Sequence, residues 1–134
     1  METSTSQTIV MTYIVSIASN HNHEENFEKI KKLISSQLSA SNINYAEIIL
    51  TQPIGTGYPP VPYYNTAVRF SSPFPMIEIN ERLKDIELSC GRTPEMKEKK
   101  IVPIDLDIIV ADGQIVHKDY SRFWFVKRLV DSLI

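Results

Sequence analysis

Cysteine is almost absent from this 134-residue chain: Cys90 stands alone. That excludes an internal disulfide and fits a reducing compartment. Lying at the end of a helical apolar pattern, Cys90 reads as a small hydrophobe. No apolar run approaches the length of a membrane span. The N-terminus "METSTSQTIV" has neither the basic start nor the long apolar core of a signal peptide. Residues 1 to about 10 are expected to be a flexible lead-in to a single domain, and the cytoplasm is the expected location. An excess of one charge is also missing. Fourteen Lys and Arg against sixteen Asp and Glu leave a net charge of -2, so no nucleic-acid or membrane partner is expected and any anion site must be local. Repeats, low-complexity tracts, a Gly-rich phosphate loop and a dinucleotide fingerprint are absent as well.

What is present alternates cleanly between strand and helix patterns. Tyr13, Val15 and Ile17 share one face of a strand over Thr12–Ser19, with Ser16 on the other. A helix follows, with Asn22 as its expected cap, Glu25 three residues on, and Phe27, Ile30, Ile34 and Leu38 as its buried stripe. Ala46–Leu50 reads as a short strand running into "TQPIGTGYPPVP". Four prolines and two glycines forbid regular structure there, and so long an irregular connection points to use as a functional loop. In the strand Tyr63–Phe70, Tyr63, Asn65, Ala67 and Arg69 oppose Tyr64, Thr66, Val68 and Phe70. A second helix starts near Pro75, buries Met76, Ile79, Leu83, Ile86 and Cys90, and ends at Gly91. Arg92–Lys100 looks polar and mobile. A strand at Ile101–Val110, a turn at "ADGQ", a short strand "IVH" and a tail from about Tyr120 to Ile134, a helix or a helix plus coil, complete the chain.

The order β-α-β-β-α-β, with an added hairpin and a C-terminal helix, predicts an α+β fold. The expected form is a ferredoxin-like sandwich with an antiparallel sheet, two helices on one face and the other face open. Ile104, Leu106, Ile108 and Val110 should then point at the helices, and Asp105 and Asp107 at the open face beside Ser16, Tyr63, Asn65 and Arg69. Two carboxylates about 7 Å apart along a strand repel each other, and a hard dication would relieve that. Solvation, or pairing with Arg69 or a lysine, would serve as well, since an Asp-x-Asp alone is common. The upstream bases Arg92, Lys97, Lys99 and Lys100 supply the other half of a phosphoryl-transfer site.

Taken in order, "YYNTAV", "IELSCGR" and "IDLDI" resemble the 6-hydroxymethyl-7,8-dihydropterin pyrophosphokinase family, and the match runs from "SIASN" to the C-terminal helix. The resemblance implies a ferredoxin-like sandwich that moves a pyrophosphoryl group from ATP to a pterin hydroxymethyl in folate biosynthesis, releasing AMP, with two magnesium ions. It makes Asp105 and Asp107 the magnesium ligands and, with Arg92, the catalytic set. Glu87, Arg92, Lys97, Lys99, Ile108 and Arg122 fall on the ATP side. Gln52, Pro53, Tyr63, Asn65 and Trp124 fall on the pterin side, Trp124 as the stacking ring; core packing of the last helix is its other reading.

The chain also departs from the family pattern. Lys99, Lys100, Ile101 and Val102 stand where the family has Trp-Gly-Pro-Arg, so the loop tryptophan and the arginine three residues before the first aspartate are missing. The Val-Pro-His-Tyr stretch is missing too, and His117 is out of register with it. A second reading therefore stays open: a weak or inactive relative that binds a pterin, a nucleotide or a protein partner.

Overall fold

The computed structural model describes residues 9–134, and most of the expected N-terminal lead-in lies outside them. Strand β1 (Met11–Ser19) runs through the middle of an antiparallel sheet. Tyr13, Val15 and Ile17 enter one apolar cluster and Ile14 enters another on the opposite face, as strand alternation requires. Helix α1 (His23–Gln37) buries Phe27, Ile30 and Ile34, and Leu38 is buried just past its end. Asn22 does not cap it. Asn22 adopts a left-handed conformation (φ 50°) and makes no side-chain cap bond. The turn is held instead by the Asn26 amide, which donates to the His21 carbonyl at 2.9 Å.

The strand expected at Ala46–Leu50 is two pieces, β2 (Ser41–Tyr45) and β3 (Ile49–Thr51), both antiparallel to β4 (Tyr63–Ser72). Tyr45 opposes Val68 and Ile49 opposes Asn65. Four steps on one side thus meet three on the other, so this is one edge strand interrupted by a bulge. Ala46 stays attached there: its N–H donates to Ala67 at 2.9 Å and its carbonyl accepts the Thr66 hydroxyl at 3.0 Å.

Helix α2 (Met76–Ser89) buries Ile79, Leu83 and Ile86. Met76, expected in that stripe, is the first helical residue and is 41% exposed. Gly91, at φ 90°, follows the end of the helix, where a left-handed residue is needed. The stretch expected to be loose contains α3 (Pro94–Glu98), capped by the Thr93 side chain, which accepts the Met96 N–H at 3.1 Å. Strand β5 (Asp105–Ala111) pairs with β1, and β6 (Gln114–Ile115) pairs with β5 across a turn with positive φ at Asp112 and Gly113. The tail is split into α4 (Asp119–Arg122) and α5 (Trp124–Asp131) by an extended Phe123.

The fold is therefore α+β, with a six-stranded antiparallel sheet ordered β2-β4-β1-β5-β6, β3 pairing with β4. The main core lies between the sheet and α1 and α2. The far face is not left open as expected. Val126, Leu129 and Val130 of α5 cover Ile14, Ala67, Ile109 and Val110. Val110 was expected to face α1 and α2 with Leu106 and Ile108, and it faces α5 instead. Ile14 opposes Val110 while Val15 opposes Ile108, so Ile109 is an extra residue. This bulge turns Ile109 and Val110 to the same side. Among the described residues no helix is long and apolar enough to cross a membrane.

Candidate active site

Two rungs of the sheet organise the face that α5 half covers. Asp107 opposes Ser16, which opposes Ala67; Asp105 opposes Ala18, which opposes Asn65. The rungs lie two residues apart, so their side chains point the same way. The uncovered part of that face is a cleft of about 260 Å³. Its walls include Asp105, Asp107, Tyr63, Asn65, Gln52, Pro53 and Arg122, residues drawn from four separate stretches of chain.

Asn65 is 5% exposed, and its amide nitrogen donates to the Ile49 carbonyl and to Thr51 Oγ1, both at 2.9 Å. A carbonyl only accepts, so the nitrogen must point there, and Oδ1 is left as an acceptor. Burial, then Tyr58, pushes the Tyr63 hydroxyl up to about 12, so it stays protonated.

The acids are unequal. Arg92 Nη1 lies 3.3 Å from both Asp105 Oδ1 and Glu87 Oε1, so one guanidinium bridges two carboxylates. Glu87 also accepts the Leu106 N–H at 2.7 Å, which fixes the start of β5. Burial is the main reason that Glu87 rises to about 7, and Asp105 adds to it against the pull of Arg92 and the Leu106 N–H. Asp107 rises to about 6, first through burial and then through the neighbouring charge of Asp105. His117 Nε2 lies 3.8 Å from Asp107 Oδ1, and His117 Nδ1 accepts the Asp119 N–H at 3.1 Å. Asp107, His117 and Asp119 bring one ligand atom each within 4.8 Å of one another. Three carboxylates on one cleft, with Asp107 poorly neutralised, are a donor set that fits a hard divalent cation.

Two loops close the rim through backbone bonds. Asn20 donates through Nδ2 to Lys100 O at 3.0 Å and accepts the Val102 N–H at 2.6 Å, which fixes the approach to β5. Lys100 then reaches across to the Thr56 carbonyl and lies 4.4 Å over the Tyr58 ring. The proline-rich loop is thereby tied to the segment preceding the aspartates.

Other expected residues lie elsewhere. Lys97 and Lys99 do not line the cleft; Lys99 is paired with Glu95 at 3.0 Å. Ile108 is buried in the core on the opposite face. Trp124 is 63% exposed and meets Phe125 edge-on. It opens α5 on the side away from Val126, Leu129 and Val130, because one helical turn from its position leads to Arg128. The aromatic rings that the tail brings to the cleft, beside Tyr58 and Tyr63, are Phe123 and Phe125, stacked at 5.4 Å. Sequence reasoning missed both, along with Thr51, Tyr58 and Asp119. The available signal was the single apolar stripe 126, 129, 130 and 133, which excludes 124.

Residues 14–133 match the family described as 7,8-dihydro-6-hydroxymethylpterin-pyrophosphokinase (HPPK), and that range includes every residue lining the cleft. The chain belongs to the HPPK family. No curated protein matches it. Membership agrees with the motifs "YYNTAV", "IELSCGR" and "IDLDI", and the HPPK match takes in nearly the whole of the sheet and all five helices among the described residues.

Proposed function

We propose that this HPPK-family chain transfers the pyrophosphoryl group of ATP to the hydroxymethyl of 6-hydroxymethyl-7,8-dihydropterin, with AMP leaving. The observation that carries the reading is one cleft joining Asp105 and Asp107 to the Asn65–Thr51–Gln52 wall. The strand order β2-β4-β1-β5, with two helices on one face, also fits the ferredoxin-like sandwich expected of such an enzyme. Its substrates are small and water-soluble, so the reading needs no membrane or nucleic acid and suits the cytoplasm.

Asn65 Oδ1 accepts from an N–H of the pterin, and Tyr63 with Phe123 and Phe125 bounds the flat ring. Asp105 and Asp107, with Asp119 at the edge, would hold the magnesium ions. When bound, those ions would supply charge neutralisation to the phosphates. Arg122 faces the phosphates from the tail, and Arg92 is freed for them once Asp105 no longer needs it. The pterin hydroxyl oxygen attacks the β-phosphorus, the bond from that phosphorus to the bridging oxygen of the α-phosphate breaks, and the hydroxyl proton leaves to water or a phosphate oxygen. Catalysis then rests on positioning and electrostatics.

The test is incubation with Mg-ATP and the pterin, following AMP. Pterin-dependent AMP that disappears in the Asp105→Ala, Asp107→Ala double variant is expected. A specific observation favours a second reading, a pterin-binding relative without turnover: Val102 stands at the arginine position, and Lys97 and Lys99 stay off the cleft wall. Pterin binding by calorimetry with no AMP at high enzyme would establish that reading and sink the first.

A further inference from the structure

A second and larger cavity, about 460 Å³, lies on the other side of the sheet. It sits between the first half of α1 and the bulged edge strand and shares only Ile17 and Thr66 with the first cleft. Its body is apolar, with Ile17, Phe27, Ile30 and Ile48 among its walls. The bulge matters here. Tyr45, Ala46 and Ile48 all line the cavity, and they lie where the extra residue interrupts the regular ladder with β4.

Tyr45 supplies the second observation. Its hydroxyl is buried and has no hydrogen-bond partner among the described residues. A folded protein seldom leaves such a group unpaired. On a residue that lines a cavity, it is the group that an occupant would satisfy. Burial pushes this phenol up to about 12, so it is present as O–H, able both to donate and to accept.

The mouth carries charge. Glu28 pairs with Lys31 at 3.1 Å, whereas Glu24, also on the wall, has no ion-pair partner among the described residues. Flat rings are already present: His23 stacks on Tyr64 at 3.4 Å and meets Phe27 edge-on at 6.0 Å. Apolar walls with a few placed polar groups are the usual make-up of a small-molecule site. We infer that this cavity binds a small planar aromatic amine, its ring between α1 and the edge strand, one polar ring atom bonded to the Tyr45 hydroxyl, and its ammonium at Glu24. The inference does not depend on the pyrophosphokinase reading.

Tryptamine is a suitable probe, with indole-3-acetate as its anionic counterpart, and binding is followed by amide chemical shifts and calorimetry. Tryptamine should shift Phe27, Ile30 and Tyr45 saturably and bind more tightly than indole-3-acetate. Tyr45→Phe should fold normally and weaken tryptamine about tenfold, the worth of one good hydrogen bond. Glu24→Lys, at an exposed position, should reverse the preference between the two probes. Shifts confined to Ser16, Asn65 and Asp105, an unchanged affinity in Tyr45→Phe, or an unchanged order in Glu24→Lys would each overturn the inference.

Discussion

Asp107 shows how one residue can weaken a fold at neutral pH. Its carboxyl titrates at about 6 rather than 3.8, because burial and then Asp105 disfavour the charge. A raised folded value means that the folded state holds the proton more tightly. The associated stability is full below the unfolded value near 3.8 and is lost as pH rises through about 6. The side chain is 35% exposed, so solvent screening cuts the stake to about 1 kcal/mol. Asp107→Asn should therefore stabilise the metal-free protein by about 1 kcal/mol at pH 8, and the gain should vanish by about pH 4. Urea titrations at both pH values check this, and a pH-independent gain would count against it. Asn65 is the opposite case, because its amide holds β3 through Ile49 and Thr51. Asn65→Ala should cost about 1–3 kcal/mol in urea unfolding and should weaken pterin binding measured by calorimetry.

At the scale of elements, the instructive part is the tail. Its helical character is legible in the spacing of Val126, Leu129 and Val130, but the break at Phe123 is not. That break sets which aromatic ring meets the cleft. Trp124→Ala should leave stability within about 0.5 kcal/mol and leave pterin affinity nearly unchanged, while Phe123→Ala should lower that affinity. Loss of pterin binding in Trp124→Ala alone would restore the tryptophan as the stacking ring. Leu129 is 1% exposed under the sheet, so Leu129→Ala should cost about 2–5 kcal/mol by denaturation. The bulges illustrate the same limit. Alternation reads correctly along Tyr13–Ile17 and from Ile104 to Ile108, then fails at Ile109, where one extra residue rotates everything after it.

For the whole molecule, β1 and β5 each feed both apolar clusters: Val15 and Leu106 face α1 and α2, while Ile14 and Ile109 face α5. Neither cluster can open without disrupting the strands of the other. Far-UV and near-UV circular dichroism should therefore report one coincident urea transition, and separated midpoints would show that α5 melts independently. The sequence by itself determined the β-α-β-β-α-β order of the main elements, most of the two buried helix stripes, the outward direction of Asp105 and Asp107, and the family. All of these are carried by local periodicity or by motifs read in order. Only the tertiary structure decided that α5 covers half the site face, that Phe123 rather than Trp124 lines the cleft, that Arg92 bridges Glu87 and Asp105, and that Asp119 joins Asp107. Those facts depend on register across strands and on where a helix breaks, which no local pattern encodes.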